Sequence, residues 1–294
     1  MKTSALVSAA TAATLTLLAA PAHADGLEHL WTTTGFAEPE SVVHDTEHDR
    51  LIVSNIDGHP GEADGQGFLS LLRLDGAMLE RQWVTGLDAP KGMAIHGDRL
   101  YVSDLTELHV IDLTTGTIER TYAPSGAQFL NDVTAAADGR IFVSDMMSHT
   151  VYELDGDALE PWLAGDPLAH PNGVLAAGET LYVGNWGEGL RSDFTTEVAG
   201  GVLALNVDTG ERLPLSFPQG RGNIDGLVML PDYLVASDWV RGTLMVLPLD
   251  GTTPEVHELA PGVADIGHAN DVLLVPQMQA GEVAAYRVAS TNSR

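Results

Sequence analysis

A four-residue pattern that returns at the same phase along the whole chain limits the fold more than any other feature. It reads Pro39-Glu40-Ser41-Val42, Pro90-Lys91-Gly92-Met93, Leu130-Asn131-Asp132-Val133, Pro171-Asn172-Gly173-Val174 and Ile224-Asp225-Gly226-Leu227. After each copy comes an apolar strand closed by a small residue and an acid or amide: Ile52-Val53-Ser54-Asn55, Tyr101-Val102-Ser103-Asp104, Phe142-Val143-Ser144-Asp145, Tyr182-Val183-Gly184-Asn185 and Val235-Ala236-Ser237-Asp238. A weaker sixth copy is Leu274-Val275-Pro276-Gln277, with Asp265 upstream. A period of roughly 40–50 residues is that of a propeller or a solenoid.

Within a unit the elements are short. The second unit predicts strands over Gly92–His96, Leu100–Ser103, Glu107–Leu113 and Thr117–Ala123, joined by Gly97-Asp98 and Thr114-Thr115-Gly116. Such Gly- and Asp-containing links are those of hairpins. No stretch beyond the N-terminal one sustains a 3.6-residue period. Many small meanders arranged radially leave only short edges, so the fold class is all-β, a six-bladed β-propeller. Every unit is expected to end in an outer strand such as Glu80–Gly86 or Leu159–Gly165, except the sixth, which stops after Glu282–Val288. A spare copy, Leu27–Gly35, stands near the N-terminus and is expected to close the last blade.

Residues 1–24 read as a secretory signal rather than as part of the fold. Lys2 is followed by an apolar Ala5–Ala20 stretch and by Ala22-His23-Ala24, a small-x-small cleavage pattern. The expected mature protein is residues 25–294, one domain, periplasmic or secreted, with no membrane span after cleavage. There is no cysteine, which removes thiol nucleophiles and thiolate metal sites. A formal charge of -27 lacks the basic footprint of a nucleic-acid binder and concentrates divalent cations.

In a propeller the first strand of each blade lies nearest the axis. The polar residues that open the units, Glu40, Lys91, Asn131, Asn172, Asp225 and Asp265, are therefore expected to face the central channel. Oxygen donors from several blades meeting on one axis suit a hard cation, and calcium takes six to eight oxygens. Glu40, Asn172 and Asp225 form the expected metal triad, with Asn131 as a fourth donor or one acting through water. Calcium is the expected ion, with zinc and manganese as alternatives; without thiolates or paired histidines a dedicated zinc site is less natural. Any one Asn-Gly or Asp-Gly pair alone would read as a turn; four at one phase of a repeat do not. Two units carry surplus residues between their second and third strands, Ile56–Gly67 and Trp186–Gly201, expected to rim the mouth of the channel. Trp186, Trp239, Met146 and His149 are candidates to wall a pocket there.

The Glu40, Asn131-Asp132, Pro171-Asn172-Gly173 and Asp225-Gly226 segments resemble the metal-site motifs of the senescence marker protein/gluconolactonase/luciferin-regenerating enzyme family, and more distantly those of paraoxonases. The resemblance runs in repeat order from about Phe36 to Tyr286. It implies a six-bladed propeller with a divalent cation in the channel and hydrolysis of lactones or related esters. Carried over by motif, Glu40, Asn172 and Asp225 are metal ligands, and Asn131 touches metal-bound water or substrate. The chain departs from the family twice. Phe129 stands where gluconolactonase-type members place an arginine on sugar hydroxyls, and Lys91 brings a cation to the axis.

Two functions follow as expectations. The first is an exported metal-dependent hydrolase of a small lactone or ester. Asp225 is the expected base, and Asn131 and Lys91 stabilise the oxyanion. The second is a non-catalytic binding propeller whose hub is plugged by a pairing of Lys91 with Asp225 or Asp265. Substrate identity and oligomeric state are not legible.

Overall fold

Short apolar runs broken by turn residues give antiparallel meanders, and the meanders give blades. The structure, a computed structural model, describes residues 26–215 and 221–288; the leader and its cleavage point after Ala24 lie outside the described residues. Strand β1 (Leu27–Thr34) precedes blade one, which is β2 (Pro39–Asp45), β3 (Arg50–Asn55), β4 (Gly67–Arg73) and β5 (Met78–Leu87). Blade two is β6 (Pro90–His96), β7 (Arg99–Asp104), β8 (Glu107–Asp112) and β9 (Ile118–Tyr122). Blade three is β10 (Leu130–Ala135), β11 (Ile141–Asp145), β12 (Thr150–Asp155) and β13 (Ala158–Ala164). Blade four is β14 (Pro171–Ala177), β15 (Thr180–Glu188) and β16 (Val198–Asn206). Blade five is β17 (Ile224–Leu230), β18 (Tyr233–Asp238), β19 (Thr243–Pro248) and β20 (Glu255–Glu258). Blade six is β21 (Gly267–Ala269), β22 (Val272–Gln277) and β23 (Glu282–Val288), with β1 as its outer strand. The architecture is a six-bladed propeller, and no helix among the described residues is long and apolar enough to cross a membrane.

The ring closes as the spare N-terminal copy predicts. β1 runs antiparallel to β23, from Leu27 opposite Val288 to Thr34 opposite Glu282, and the N–H groups of Gly35 and Phe36 both donate to the Gly281 carbonyl. Blade four departs from expectation. Its described residues form three strands, and the described residues beyond them make isolated bridges, Leu205 to Arg212 and Gly200 to Gly222, in place of a fourth strand. Pro214 lacks the N–H that a continuing ladder requires. The surplus in this blade is also not all loop. β15 runs on to Glu188 and β16 starts at Val198, so only the tip, 189–197, is free of strand.

The repeated motif marks an irregularity. In blades one to five the register between the first and second strands shifts at the motif: Pro39/Val42, Pro90/Met93, Leu130/Val133, Pro171/Val174 and Ile224/Leu227. Such bulges re-aim a side chain. The glycine of the motif is a packing requirement rather than a turn. A Cβ on Gly92 would lie 2.4 Å from Asp132 Cα, one on Gly173 2.3 Å from the Asp225 carbonyl oxygen, and one on Gly226 2.4 Å from the Ile266 nitrogen. Neighbouring first strands therefore touch backbone to backbone around the axis. Gly173→Ala is expected to destabilise the fold by about 3 kcal/mol, as forced overpacking does, read as a lower denaturant midpoint.

The second repeated signal is structural. The serine at the end of the second strand holds the bulge: Ser54, Ser144 and Ser237 Oγ accept the N–H of Ser41, Asp132 and Gly226 at 2.9, 2.9 and 2.7 Å. Ser144 and Ser237 also donate to carbonyls of the next blade, those of Asn172 and Ala264. The acid or amide after the serine pins the loop that leads into the first strand. Asp104 accepts from the Asp88 and Ala89 N–H groups, Asp145 from Gln128 and Phe129, and Asn185 from Ala169. The apolar core lies between blades, as where Ile52 and Leu69 of blade one pack with Met93, Leu100 and Val102 of blade two.

Candidate functional site

Five first strands deliver the unit-opening residues to one cavity of about 300 Å³ at one end of the channel. Glu40 comes from β2, Lys91 from β6, Asn131 from β10, Asn172 from β14 and Asp225 from β17, and all five line it. Each is at most 5% exposed. The walls come from loops and strand ends: Ile56, His59 and Pro60 from the long connection of blade one, Trp186 and Phe194 from blade four, with Phe129, Met146, Trp239 and Met278.

The floor is short of hydrogen-bond donors. Glu40 Oε2, Asn131 Oδ1 and Asn172 Oδ1 are buried oxygens without a hydrogen-bond partner. The Asn172 side chain hydrogen-bonds to the Asp225 carboxylate. Buried acceptors of this kind carry a desolvation cost unless something positive meets them. Among the described residues no group of three histidine, cysteine, aspartate or glutamate side chains is placed to hold a metal. The donor set here is two carboxylates and two amides, all oxygen, which is the chemistry of a hard divalent cation. The residues present therefore fit such an ion.

Burial pushes the Glu40 carboxyl well above the usual carboxylate range; the Asp225 and Asp265 charges add to this and the Lys91 charge opposes it. Asp225 is also raised, by burial and by Asp265, against the hydrogen bond from Asn172. Lys91 is pushed down to about 8 by burial, with Glu40 and Asp104 acting in the other direction. Its ammonium donates to the Ala89 carbonyl at 2.9 Å and sits 4.5 Å from the centre of the Phe129 ring. Lys91 makes no ion pair with Asp225 or Asp265. The strand places its head beside Phe129 instead, where the ring face offsets part of its desolvation.

Asp265 is the sixth expected axial residue, and it does not line this cavity. It faces a second cavity of about 290 Å³, lined by residues further along the same first strands. Ser41 Oγ donates to Asp265 Oδ2 at 2.5 Å, and the Asp265 carboxyl is hydrogen-bonded to that of Asp132. Burial raises Asp265 to about 7 and lifts Asp132 as well. The bulge explains Asp132: it turns two successive side chains inward, Asn131 toward one cavity and Asp132 toward the other. The Asn131-Asp132 pair was the available signal for it, but alternation along a regular strand would send one of the two away from the axis.

A carboxyl raised on folding keeps a proton that the unfolded chain has released. Stability therefore falls as pH rises from about 4, where the unfolded aspartate ionises, through the folded value of about 7 for Asp265. In the absence of divalent cations the denaturant midpoint is expected to be lower at about pH 8 than at about pH 5.5. The slope is expected to be shallower in Asp265→Asn. An unchanged slope in that variant would remove Asp265 from the account.

The wall candidates divide. Met146, Trp186 and Trp239 line the upper cavity; His149 does not. His149 lies against His170, ring centroids 4.2 Å apart and planes tilted by 55°, and its Nδ1 accepts the His170 backbone N–H at 3.2 Å. Its backbone, with a φ of 54°, turns it to the loop between blades three and four and away from the axis. Sequence reasoning did not single out Ile56, His59, Pro60, Phe194 or Met278 as lining residues. The first four lie in the two long connections; Met278, on a 3₁₀ turn, had no signal.

No family model matches the chain, and no curated protein matches it. Among solved structures it is similar to a gluconolactonase from Xanthomonas campestris, at 19% identity and a TM-score of 0.65 over 90% of this chain and 89% of that one. It is also similar to a streptogramin B lyase, at 12% identity and a TM-score of 0.62 over 90% of this chain and 97% of that one. A virginiamycin B lyase from Staphylococcus aureus gives 12% identity and a TM-score of 0.62 over 90% and 99%. At these identities the shared property is the propeller fold.

Proposed function

We propose that this chain is an exported, divalent-metal-dependent hydrolase of lactones or related esters. The observation that carries the reading is the set of buried oxygens without donors, on Glu40, Asn131 and Asn172, beside Asp225 at the floor of an otherwise apolar cavity. Glu40, Asn172, Asp225 and Asn131 would hold the cation, calcium first. When bound, it supplies polarisation of the ester carbonyl and a lower pKa for water. Asp225 takes the proton of the attacking water as the new carbon–oxygen bond forms, and returns it to the alkoxide released when the ring bond breaks. The product is a hydroxy acid. The Asn131 amide N–H and the Lys91 ammonium face the oxygen on which negative charge develops. Similarity to a gluconolactonase is compatible with this chemistry.

The test is a panel of lactones and esters assayed with calcium, manganese, zinc or a chelator, in water enriched in ¹⁸O. Hydrolysis places one labelled oxygen in the acid product. Ring opening without label assigns the chain to elimination, the class of reaction named for the two similar lyases. No turnover of any substrate with any ion returns the chain to a binding role. Export is part of the proposal, and the mature protein recovered outside the cytoplasm is expected to begin at Asp25 by intact mass.

A further inference from the structure

Above the polar floor the cavity offers a substrate almost nothing to hydrogen-bond. Phe129, Met146 and Trp186 form a buried apolar cluster, with Phe194 and Trp239 packed on it as partly exposed rings. Trp186 and Trp239 are 6.1 Å apart and Phe129 and Phe194 6.5 Å apart, centroid to centroid. The one indole N–H that faces this cluster from Trp186 is already given to the Phe194 carbonyl at 2.7 Å. Of the remaining wall side chains only His59 and Trp239 carry ring N–H groups, and His59 Nδ1 accepts the Gly61 N–H. A polyhydroxylated ring pressed against these walls would surrender water at each hydroxyl without finding a partner, which is costly. Rings left half-covered at a cavity mouth are instead surface that an apolar group would cover.

Size limits the group. A cavity of about 300 Å³ corresponds to roughly ten water-sized atoms at about 30 Å³ each. A five-membered lactone ring with its carbonyl oxygen uses six, leaving room for an arm of roughly four carbons.

We infer that the substrate is a lactone or ester bearing an apolar arm of about four carbons, held between Trp186, Trp239, Phe129 and Phe194, and that sugar lactones are excluded. This rests on the hydrolase reading only for the reaction; the binding claim stands apart from it.

The experiment uses γ-butyrolactone and γ-lactones with two-, four- and six-carbon alkyl arms, the matching γ-lactams, and glucono-δ-lactone. Hydrolysis is followed for the lactones and calorimetric affinity for the lactams. Each added methylene is expected to raise kcat/KM and lactam affinity by roughly two- to fourfold, levelling off past about four carbons. Trp239→Ser, in the turn after β18, is expected to flatten both series. Length-dependent lactam binding without lactone turnover supports the inference and removes the hydrolase reading. Affinity independent of arm length, no measurable binding, or glucono-δ-lactone handled as well as the four-carbon lactone overturns the inference.

Discussion

Glu40→Gln is expected to give a folded propeller that calcium no longer stabilises and whose lactone-opening rate is lower by roughly a thousandfold, in the range seen when a single electrostatic contributor to a transition state is removed. The substitution keeps the shape of a side chain that is 3% exposed. It removes a carboxyl whose ionised form is opposed by burial and by the Asp225 and Asp265 charges. Two opposite effects follow. Without divalent cation the variant unfolds at a higher temperature than the parent, because a repelling, poorly solvated charge has gone. With calcium the order reverses, because the parent gains RT ln(1 + [L]/Kd) of stability and the variant does not. A variant that keeps the parent's calcium-dependent shift would show that Glu40 is not a ligand. One that loses the shift but keeps its rate would detach the cation from the chemistry.

The ring was legible because its signals are local and repeated. Bulge and channel-facing polar residue occupy the same positions in units one to five, with a close-approach glycine beside them in units two, four and five, so a pattern of four residues carries the inner wall. The strand-end serine and acid were equally visible, but their role was not. Ser144 and Asp145 look as functional in sequence as Asn131 does, yet they bind backbone N–H and carbonyl groups and hold the bulge and its entry loop. Only the hydrogen-bond partners separate a side chain that staples the blade from one that faces the channel. The site's polar floor was readable for the same reason, since repeat phase fixes angular position around the axis. Depth along the axis follows phase as well. Val263 pairs with Gln277 as Leu130 does with Asp145 and Pro39 with Asn55, so Ala264 holds the phase of Glu40, and Asp265 holds that of Ser41 and Asp132 and belongs to the other cavity with Asp132. The walls come from connections of unequal length, which no repeat constrains. Trp186 and Trp239 each follow the amide or acid that closes the repeated second-strand pattern and could be placed; Phe194 sits with a φ of 62° in the tip of a long hairpin and could not.

Lys91 gives the second large effect, and its two readouts move in opposite directions. Lys91→Met is expected to tighten calcium binding by roughly ten- to a hundredfold. A unit positive charge about 6–10 Å from a divalent cation costs on the order of 3–6 kcal/mol at the effective dielectric of about 20 that suits buried sites, and loss of the Lys91 attraction that favours ionised Glu40 offsets part of that gain. Methionine keeps an unbranched apolar stem against Phe129, so the wall that Lys91 helps to build persists. The same variant is expected to open lactones more slowly by about a hundredfold, because a donor aimed at the developing oxyanion has gone. Tighter metal with slower turnover is a combination that loss of structure does not produce, since unfolding weakens both. The sequence supplies an independent check on the unmutated protein. Its only other lysine is Lys2, in the expected leader, so amine acylation of the mature chain reads Lys91 with the N-terminal amine as the one competitor. Acylation of Lys91 removes the charge and should reproduce the metal effect, with lactam ligands slowing the modification by covering the cavity. If Lys91→Met leaves calcium affinity unchanged while lowering stability alone, the ammonium is a packing element bound to the Ala89 carbonyl and Phe129, and the oxyanion must be met by Asn131 without it.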